Sequence, residues 1–378
     1  MLRSSRSFAI LFASATVAGC ASGSRTEPTA PVPLDTTFYI SARVRDAGRA
    51  IRQLSDSLEY GLIVTPRPTA DEALNERELP FRVADSIAVS REGFVSALRQ
   101  RVGPGDFAVL YTHGFGTSMA EAWEQAVQAR ARSQGTQPWV VFTWPASDSW
   151  LAWPRNGDGL ATSYRQDSAS AVASRGAFLR AFGTVRAAVG SSGLLLFTHS
   201  MGAQLAGEAI TADDTLRTSL AADPLRAIAF FAADVETTHF GDVLVTSLLP
   251  VTRRLVLYAS SKDRALATAG MISKTARAGR IPSWAALPFT RPGLESIDMT
   301  KGTSAGGPMR YIFGARHGVR HATAALYDMV HIVGGGYLPE CREVIALATR
   351  SGPDAWKLLR APLPSPTATS RCALRLAQ

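Results

Sequence analysis

The feature that most constrains the fold is a short apolar run that breaks abruptly at a serine. Residues 193–197 predict a buried strand, and Ala203–Ile210 predicts a helix almost directly after it. Ser200 then lies on a tight turn between strand and helix, with its hydroxyl pointing out of the sheet. The usual pattern at such a turn is G-x-S-x-G. Here Gly202 provides the second glycine, and Thr198 stands where the first is expected.

A second turn follows another predicted buried strand, Phe107–Thr112, which ends in His-Gly-Phe-Gly. Acyl transfer develops negative charge on the carbonyl oxygen, and fixed backbone N–H groups beside the nucleophile stabilise that charge. We therefore expect the N–H groups of Phe115 and Met201 to form an oxyanion hole. His113 is expected to shape the turn and not to transfer a proton.

Two aspartates are candidates for the acid that orients a catalytic histidine. Where a nucleophilic serine lies on this kind of turn, the acid and then the histidine follow it along the chain. Asp263 follows the predicted strand Arg254–Ala259 and is favoured, while Asp234 follows an earlier strand and is the alternative. Asp263 can also cap the helix predicted over Arg264–Ala276.

Two histidines, His317 and His321, follow the predicted last strand, Leu294–Met299, where the catalytic base is expected. His321 opens the predicted helix Ala322–Val330 and is favoured as the base. His317, in a glycine-rich loop, is the alternative. His331 is interpreted as a packed or surface residue.

Six motifs follow one another along the chain: Leu110–Phe115, Val141–Pro145, Tyr164–Ser170, Thr198–Gly202, Ala232–Val235 and Tyr258–Leu266. In this order they resemble a bacterial family of esterase-like or lipase-like α/β hydrolases of unknown function. The resemblance implies an α/β-hydrolase fold with a mostly parallel sheet flanked by helices. It also implies a triad of Ser200, Asp263 and His321, but no particular substrate.

The amino terminus is typical of an exported lipoprotein. A short basic start precedes the apolar run Phe8–Ala18, which has the length of a signal-peptide core and is too short to span a bilayer. Because small residues precede Cys20, we expect residues 1–19 to be a signal peptide and Cys20 to be lipidated. The alternatives are an ordinary secretory signal and an uncleaved anchor. No aspartate follows Cys20, which favours attachment to the outer membrane, facing the periplasm.

Residues 20–36 are rich in Ser, Pro and Thr and predict a flexible tether. An α/β-hydrolase domain is expected over residues 37–337 and a C-terminal tail over residues 338–378. Cys341 and Cys372 form an even pair, which in an exported chain suggests a disulfide that holds this tail. No Cys/His cluster has metal-ligand spacing, so we expect neither a metal nor another cofactor.

Alternating predicted strands and helices indicate the α/β class with a mostly parallel sheet. The formal charge of +9 comes mainly from arginine, and the basic residues are scattered without a basic–aromatic stripe. A nucleic-acid partner is therefore not expected. The expected partners are an ester or acyl substrate and the membrane that holds the lipid anchor.

The loop Ala146–Tyr164 contains Trp150 and Trp153, which either roof an acyl pocket or pack on the core. Together these features favour a serine hydrolase that cleaves carboxylic esters through a Ser-Asp-His triad and a backbone oxyanion hole. The alternatives are an acyltransferase with the same triad and a non-catalytic binding module tethered to the envelope.

Overall fold

A computed structural model describes residues 34–69, 72, 83–147, 159–301, 317–319, 322–359, 363–365, 368 and 372. All of them belong to one compact unit, Pro33–Gln378. A large, mostly parallel sheet lies between layers of helices, which confirms the α/β class expected from the sequence. No helix in the described ranges is long and apolar enough to cross a membrane.

The central strands coincide with the apolar runs of the sequence, because a strand covered on both faces buries every side chain. The strand bounds are β1 (Leu34–Asp46), β2 (Arg49–Pro66), β3 (Asp85–Val89), β4 (Ala108–Thr112), β5 (Trp139–Thr143), β6 (Leu194–His199), β7 (Ala227–Phe231), β8 (Leu255–Ala259), β9 (Leu294–Asp298), β10 (Ala348–Gly352) and β11 (Ala355–Leu358).

Helices connect most of the parallel strands. Their bounds are α1 (Arg91–Arg101), α2 (Met119–Ser133), α3 (Leu160–Ala173), α4 (Arg175–Val189), α5 (Met201–Ala212), α6 (Asp214–Ala222), α7 (Thr237–His239), α8 (Thr246–Leu248), α9 (Arg264–Ser273), α10 (Thr323–Tyr327) and α11 (Cys341–Val344). Residues Phe240–Val245 and Asp328–Val333 continue α7 and α10 as π-helical turns, and Leu249–Val251 is a short 3₁₀ helix.

Across the described residues, eleven strands form one sheet in the order β10-β11-β9-β8-β7-β6-β4-β5-β1-β2-β3. The strands from β11 to β1 in this order are parallel, while β2, β3 and β10 pair antiparallel with their neighbours. The chain runs outward from β4 to β5 and then crosses to β6 on the other side of β4. Open α/β sheets bind ligands at the carboxyl ends of the strands beside such a reversal. The turns after β4 and β6 therefore lie at the expected position of a site.

The sheet separates two apolar cores. Along β4, Ala108 and Leu110 face one core, whereas Val109 and Tyr111 face the other. This alternation follows from the period of two in a strand, and burial of both sets holds the sheet between its helical layers. The central strands thus provide a rigid frame for the turns at their carboxyl ends.

The expectation that Leu294–Met299 is the last strand was wrong. Strands β10 and β11 follow it, and β11 pairs in parallel with β9. The sequence of β10, Ala-Thr-Arg-Ser-Gly, is mostly exposed and polar, so it carries no apolar run that would predict a strand. The edge strand β3, Asp-Ser-Ile-Ala-Val, also escaped prediction, because its apolar run is only three residues long and four of its five residues are exposed.

The chain after β9 is tied to the sheet by covalent and ionic contacts as well as by strand pairing. Cys341 and Cys372 are joined by a disulfide, with their Cα atoms 5.4 Å apart. The buried Arg342 donates to Asp328 Oδ1 at 2.7 Å and to Glu295 Oε2 at 2.6 Å. Because Glu295 lies on β9, these contacts fix α11 against the central sheet.

Candidate active site

Ser200 occupies a strained backbone conformation between β6 and α5. Its φ of 53° and ψ of −122° are rare for a residue with a side chain and cost on the order of 1–3 kcal/mol. The Ser200 N–H donates to the carbonyl oxygen of Phe231 at 3.0 Å, and the Ser200 carbonyl oxygen accepts from the N–H groups of Ala203 and Asp234 at 3.0 and 3.1 Å. These three backbone bonds hold the turn in place, as expected for a strand-to-helix turn that presents a nucleophile.

Two glycines allow the turns after β4 and β6 to touch. A Cβ atom at Gly202 would lie 2.6 Å from the carbonyl oxygens of both Thr112 and His113. A Cβ atom at Gly114 would lie 2.7 Å from the Cβ of Ser200. Both positions therefore require glycine for steric reasons, which explains their place in the sequence pattern.

Thr198 stands where the first glycine of the pattern is expected, and the structure accommodates it. It is buried in β6, where it pairs with Thr112 on β4 and Phe230 on β7. Its hydroxyl lies 3.5 Å from the carbonyl oxygen of Ala229. The side chain thus fits within the sheet, two residues before the strained position, and leaves the turn intact.

The predicted oxyanion donors, Phe115 and Met201, lie in the two segments that meet at Ser200. Met201 is the first residue of α5, where backbone N–H groups have no partner within the helix. Phe115 directly follows Gly114, the residue whose backbone touches Ser200. The structure therefore brings both segments to Ser200.

His113 is buried beneath the turn and remains neutral. The Trp144 N–H donates to His113 Nε2 at 3.3 Å, so the proton of the neutral ring is on Nδ1, 3.0 Å from the carbonyl oxygen of Gly114. Burial, reinforced by the charge of Arg43, lowers the pKa of His113 to about 3. The Trp144 indole stacks on the ring with centroids 5.2 Å apart. This environment supports the prediction that His113 shapes the turn.

Asp167 on α3 fixes the turn after β4, a contact that sequence analysis did not foresee. Its Oδ2 accepts from the Gly116 N–H at 3.0 Å and from the Ser147 hydroxyl at 2.8 Å. Its Oδ1 accepts from the Ser147 N–H and from Arg52, each at 2.9 Å. The one available signal was its place in the motif Tyr164–Ser170. Through Gly116, this carboxylate holds the segment that carries Phe115.

Asp263 follows β8 and makes two contacts with its two oxygens. Oδ1 accepts from the Leu266 N–H at 2.8 Å and caps α9, while Oδ2 is 2.7 Å from His317 Nδ1. The side chain is buried, so both contacts are shielded from water. The structure thus pairs the favoured acid with His317, which the sequence analysis named as the alternative base. His321, the favoured base, lies outside the described residues.

His317 lies beside the strained turn. Its ring centroid is 4.8 Å from that of His199, and His199 Nε2 donates to the carbonyl oxygen of His317 at 2.9 Å. Burial lowers the pKa of His317, but the charge and hydrogen bond of Asp263, with a contribution from Asp234, outweigh it and raise the pKa above 6.5. Because His199 directly precedes Ser200, it links the loop of His317 to the turn that carries Ser200, a role that the sequence did not reveal.

Asp234, the alternative acid, is engaged elsewhere. Its Oδ2 accepts from the Tyr164 hydroxyl at 2.9 Å, and its Oδ1 lies 3.1 Å from Arg277 Nε. Burial raises the pKa of Asp234, opposed by Arg277 and Tyr164. Its side chain makes no hydrogen bond with a histidine among the described residues, while its backbone N–H supports Ser200.

Residues 93–307, more than half of the chain, match the family described as alpha/beta hydrolase of unknown function (DUF900). The chain belongs to this family. A comparison with curated proteins found no match. The matched residues of this α/β hydrolase include Phe115, Ser200, Asp234 and Asp263 and end before His317.

Several predicted features of this α/β hydrolase fall on residues that the structure does not describe: Cys20, Trp150, Trp153 and His321. His331 is half-buried against Tyr327, with ring centroids 4.3 Å apart, and its Nε2 donates to the carbonyl oxygen of Ser133. It therefore has a packing role, as interpreted from the sequence. Within the described ranges, no group of three or more His, Cys, Asp or Glu side chains is arranged to hold a metal ion.

Proposed function

We propose that this α/β hydrolase is a serine esterase that uses Ser200, His317 and Asp263. The observation that carries the proposal is the 2.7 Å contact between Asp263 Oδ2 and His317 Nδ1 beside the strained Ser200. Hydrogen bonding at Nδ1 fixes the ring and leaves Nε2 as the proton acceptor, as in triads of this chemistry. His317 thereby takes the role that the sequence analysis assigned first to His321.

The reaction begins when Ser200 Oγ attacks the ester carbonyl carbon and His317 Nε2 takes the hydroxyl proton. The N–H groups of Phe115 and Met201 stabilise the negative oxygen of the tetrahedral intermediate. The intermediate collapses, the alcohol leaves with the proton from His317, and the acyl group stays on Ser200. Water then attacks the acyl carbon, His317 takes its proton, and collapse returns this proton to Ser200 as the carboxylic acid departs. The Asp263 carboxylate orients the ring and stabilises the imidazolium in each half-reaction.

Hydrolysis of a short-chain nitrophenyl ester tests the proposal. Ser200→Ala should lower kcat about 10⁶-fold, because it removes the nucleophile and leaves only binding and oxyanion stabilisation. Ser96→Ala, at an exposed position on α1, is the matched control and should retain wild-type activity. Comparable hydrolysis by wild type and Ser200→Ala would refute the proposal, and so would a wild-type protein that does not turn over nitrophenyl esters.

We further propose that the enzyme is a lipoprotein, attached through Cys20 to the outer membrane and facing the periplasm. The short apolar segment and the small residues before Cys20 support this location. The disulfide between Cys341 and Cys372 fits an oxidising compartment, where such bonds persist.

A further inference from the structure

A small cleft of about 220 Å³ lies beside α5, the helix that follows Ser200. Its walls include Tyr164, Arg165 and Ser168 from α3, Gln204 from α5, and Arg277 from the segment after α9. Two arginines thus line a small volume together with an amide, a phenol and two hydroxyls, and Ile272 adds an apolar side chain. Of the seven lining residues, Ile272 alone has a wholly apolar side chain, whereas an acyl-chain pocket is mainly apolar.

The cleft is close to the reacting centre. Gln204 lies four residues after Ser200, a rise of about 6 Å along a helix. On the other wall, the Tyr164 ring is 5.8 Å from the ring of Phe115. A small substrate can therefore occupy the cleft with one end while its carbonyl carbon is at Ser200.

Arg277, in the wall of the cleft, is held in a fixed orientation. Its side chain is 9% exposed, its Nε is 3.1 Å from Asp234 Oδ1, and its Nη2 donates to the Tyr164 hydroxyl at 3.1 Å. Among the described residues, Arg277 Nη1 has no hydrogen-bond partner. Arginine held this way is suited to recognise a carboxylate or a phosphate group, because its donors are planar and pre-organised.

Arg165 adds an uncompensated positive charge at the rim. It is exposed, and no described residue forms an ion pair or a hydrogen bond with it. None of the described residues that line the cleft is acidic, and the carboxylate that contacts Arg277 and Tyr164 is that of the buried Asp234. The lining therefore carries two arginines and no carboxylate, and of these two arginines only Arg277 is paired with Asp234.

We propose that this cleft binds a carboxylate or phosphate group of the substrate, so that the enzyme favours esters with an anionic group a few bonds from the scissile carbonyl. The preference for esters rests on the proposed function, whereas anion binding does not. Arg165 and Arg277 make the charge-assisted contacts with the anion, and Gln204 and Ser168 line the path towards Ser200.

Binding is measured first, in the Ser200→Ala protein, so that the result is independent of turnover. Glutarate and inorganic phosphate are titrated separately by calorimetry at low ionic strength and millimolar concentrations, which distinguishes carboxylate from phosphate recognition. We expect one of them to bind one site, and Arg165→Gln to weaken that binding about tenfold. Arg253→Gln, an exposed arginine at the amino ends of the strands, is the matched control and should bind as the parent does. Absence of binding for both anions, or equal binding by Arg165→Gln and its parent, would overturn the proposal.

Selectivity is measured next, as the ratio of kcat/KM for mono-nitrophenyl glutarate to that for nitrophenyl butyrate. We expect a ratio well above one in wild type, a drop of about tenfold in Arg165→Gln, and no change in Arg253→Gln. Arg277→Lys, which keeps the charge beside Asp234, should also lower the ratio because lysine lacks the planar donors. If neither Arg165→Gln nor Arg277→Lys changes the ratio, the proposal is contradicted.

The two proposals fail in different ways. If Arg165-dependent anion binding is present but neither ester is hydrolysed, the esterase proposal falls and the anion site stands. If both esters are hydrolysed at Ser200 without charge preference and neither anion binds, the anion site falls and the esterase stands.

Discussion

The two carboxylate oxygens of Asp263 make different contacts, one with a helix end and one with a histidine. Oδ1 caps α9 through the Leu266 N–H, and Oδ2 contacts His317. The cap fixes the carboxylate, so the histidine ring that it binds is also fixed. Asp234 lacks this arrangement because its oxygens contact Tyr164 and Arg277. The sequence could rank the two acids by position, but it could not show which histidine the acid meets.

The first prediction at this scale concerns the catalytic base. His317→Ala should lower kcat/KM for a nitrophenyl ester by about 10⁴- to 10⁶-fold, since a triad works as a unit. His239→Ala removes a histidine whose side chain is 40% exposed and paired with Glu208, and it should keep nearly full activity. His321→Ala completes the series. If His321→Ala is inactive and His317→Ala is active, the catalytic base is His321, the residue that the sequence favoured.

A second prediction concerns pH. The base must be neutral to accept the Ser200 proton, so activity should rise with pH through the pKa of His317, which lies above 6.5. Asp263→Asn removes the charge that raises this pKa, so the acid limb should move to lower pH while the maximal rate falls. The measurement is kcat/KM against pH for both proteins. If the acidic limb of the pH profile lies at the same pH in Asp263→Asn as in wild type, the pairing of Asp263 with His317 is contradicted.

The element that defines the site is the strand–turn–helix from β6 to α5. The sequence predicted it from the apolar run, the serine and Gly202 in succession, together with the partner motifs, although Thr198 stands where the usual pattern has a glycine. It predicted less well the contributions made by side chains from distant elements. Asp167 reaches the turn after β4 from α3, and His199 reaches the loop of His317. Such contacts join residues far apart in the chain, and no local pattern encodes them.

A prediction for this element uses its second glycine. Gly202→Ala places a methyl group 2.6 Å from two backbone carbonyl oxygens that cannot move independently. We expect a loss of roughly 3–5 kcal/mol in the free energy of unfolding, or loss of folding. Gly183→Ala, within α4 and with no atom within 4 Å of the added Cβ, should instead stabilise the protein by about 0.5–1 kcal/mol. Chemical denaturation measures both, and equal stability of the two variants would contradict the close packing of the turns.

At the scale of the whole molecule, parallel strands bring the turns after β4, β6 and β8 to one edge of the sheet. The order of strands in sequence and their apolar runs predicted this sheet, because parallel pairing with helical crossovers is the stable way to bury both faces. The added strands β10 and β11 were not predictable, since β10 is polar and held by its partners. Residues 348–358 thus form an edge of the sheet and lie between the two cysteines that the disulfide joins.

A further prediction for the whole molecule concerns its attachment to the membrane. Cys20→Ala should release the protein from the envelope, because lipidation with several acyl chains provides stable attachment and no described helix spans a membrane. Fractionation of cells expressing wild type and variant, with palmitate labelling, measures this. Cys341→Ala, which removes a cysteine in the folded domain, is the control and should leave the lipid label in place. The lipoprotein proposal is contradicted if the Cys20→Ala protein still sediments fully with membranes and the wild-type protein takes up no palmitate label.

The most direct test of the central claim is labelling with a fluorophosphonate probe followed by peptide mapping. A serine activated by a base attacks this phosphorus centre rapidly, whereas ordinary serines do not. We predict stoichiometric modification of the peptide containing Ser200 in wild type, no labelling in Ser200→Ala, and slow labelling in His317→Ala. Wild-type protein that stays unmodified, or that is modified at another serine, would contradict the assignment of Ser200 as the nucleophile.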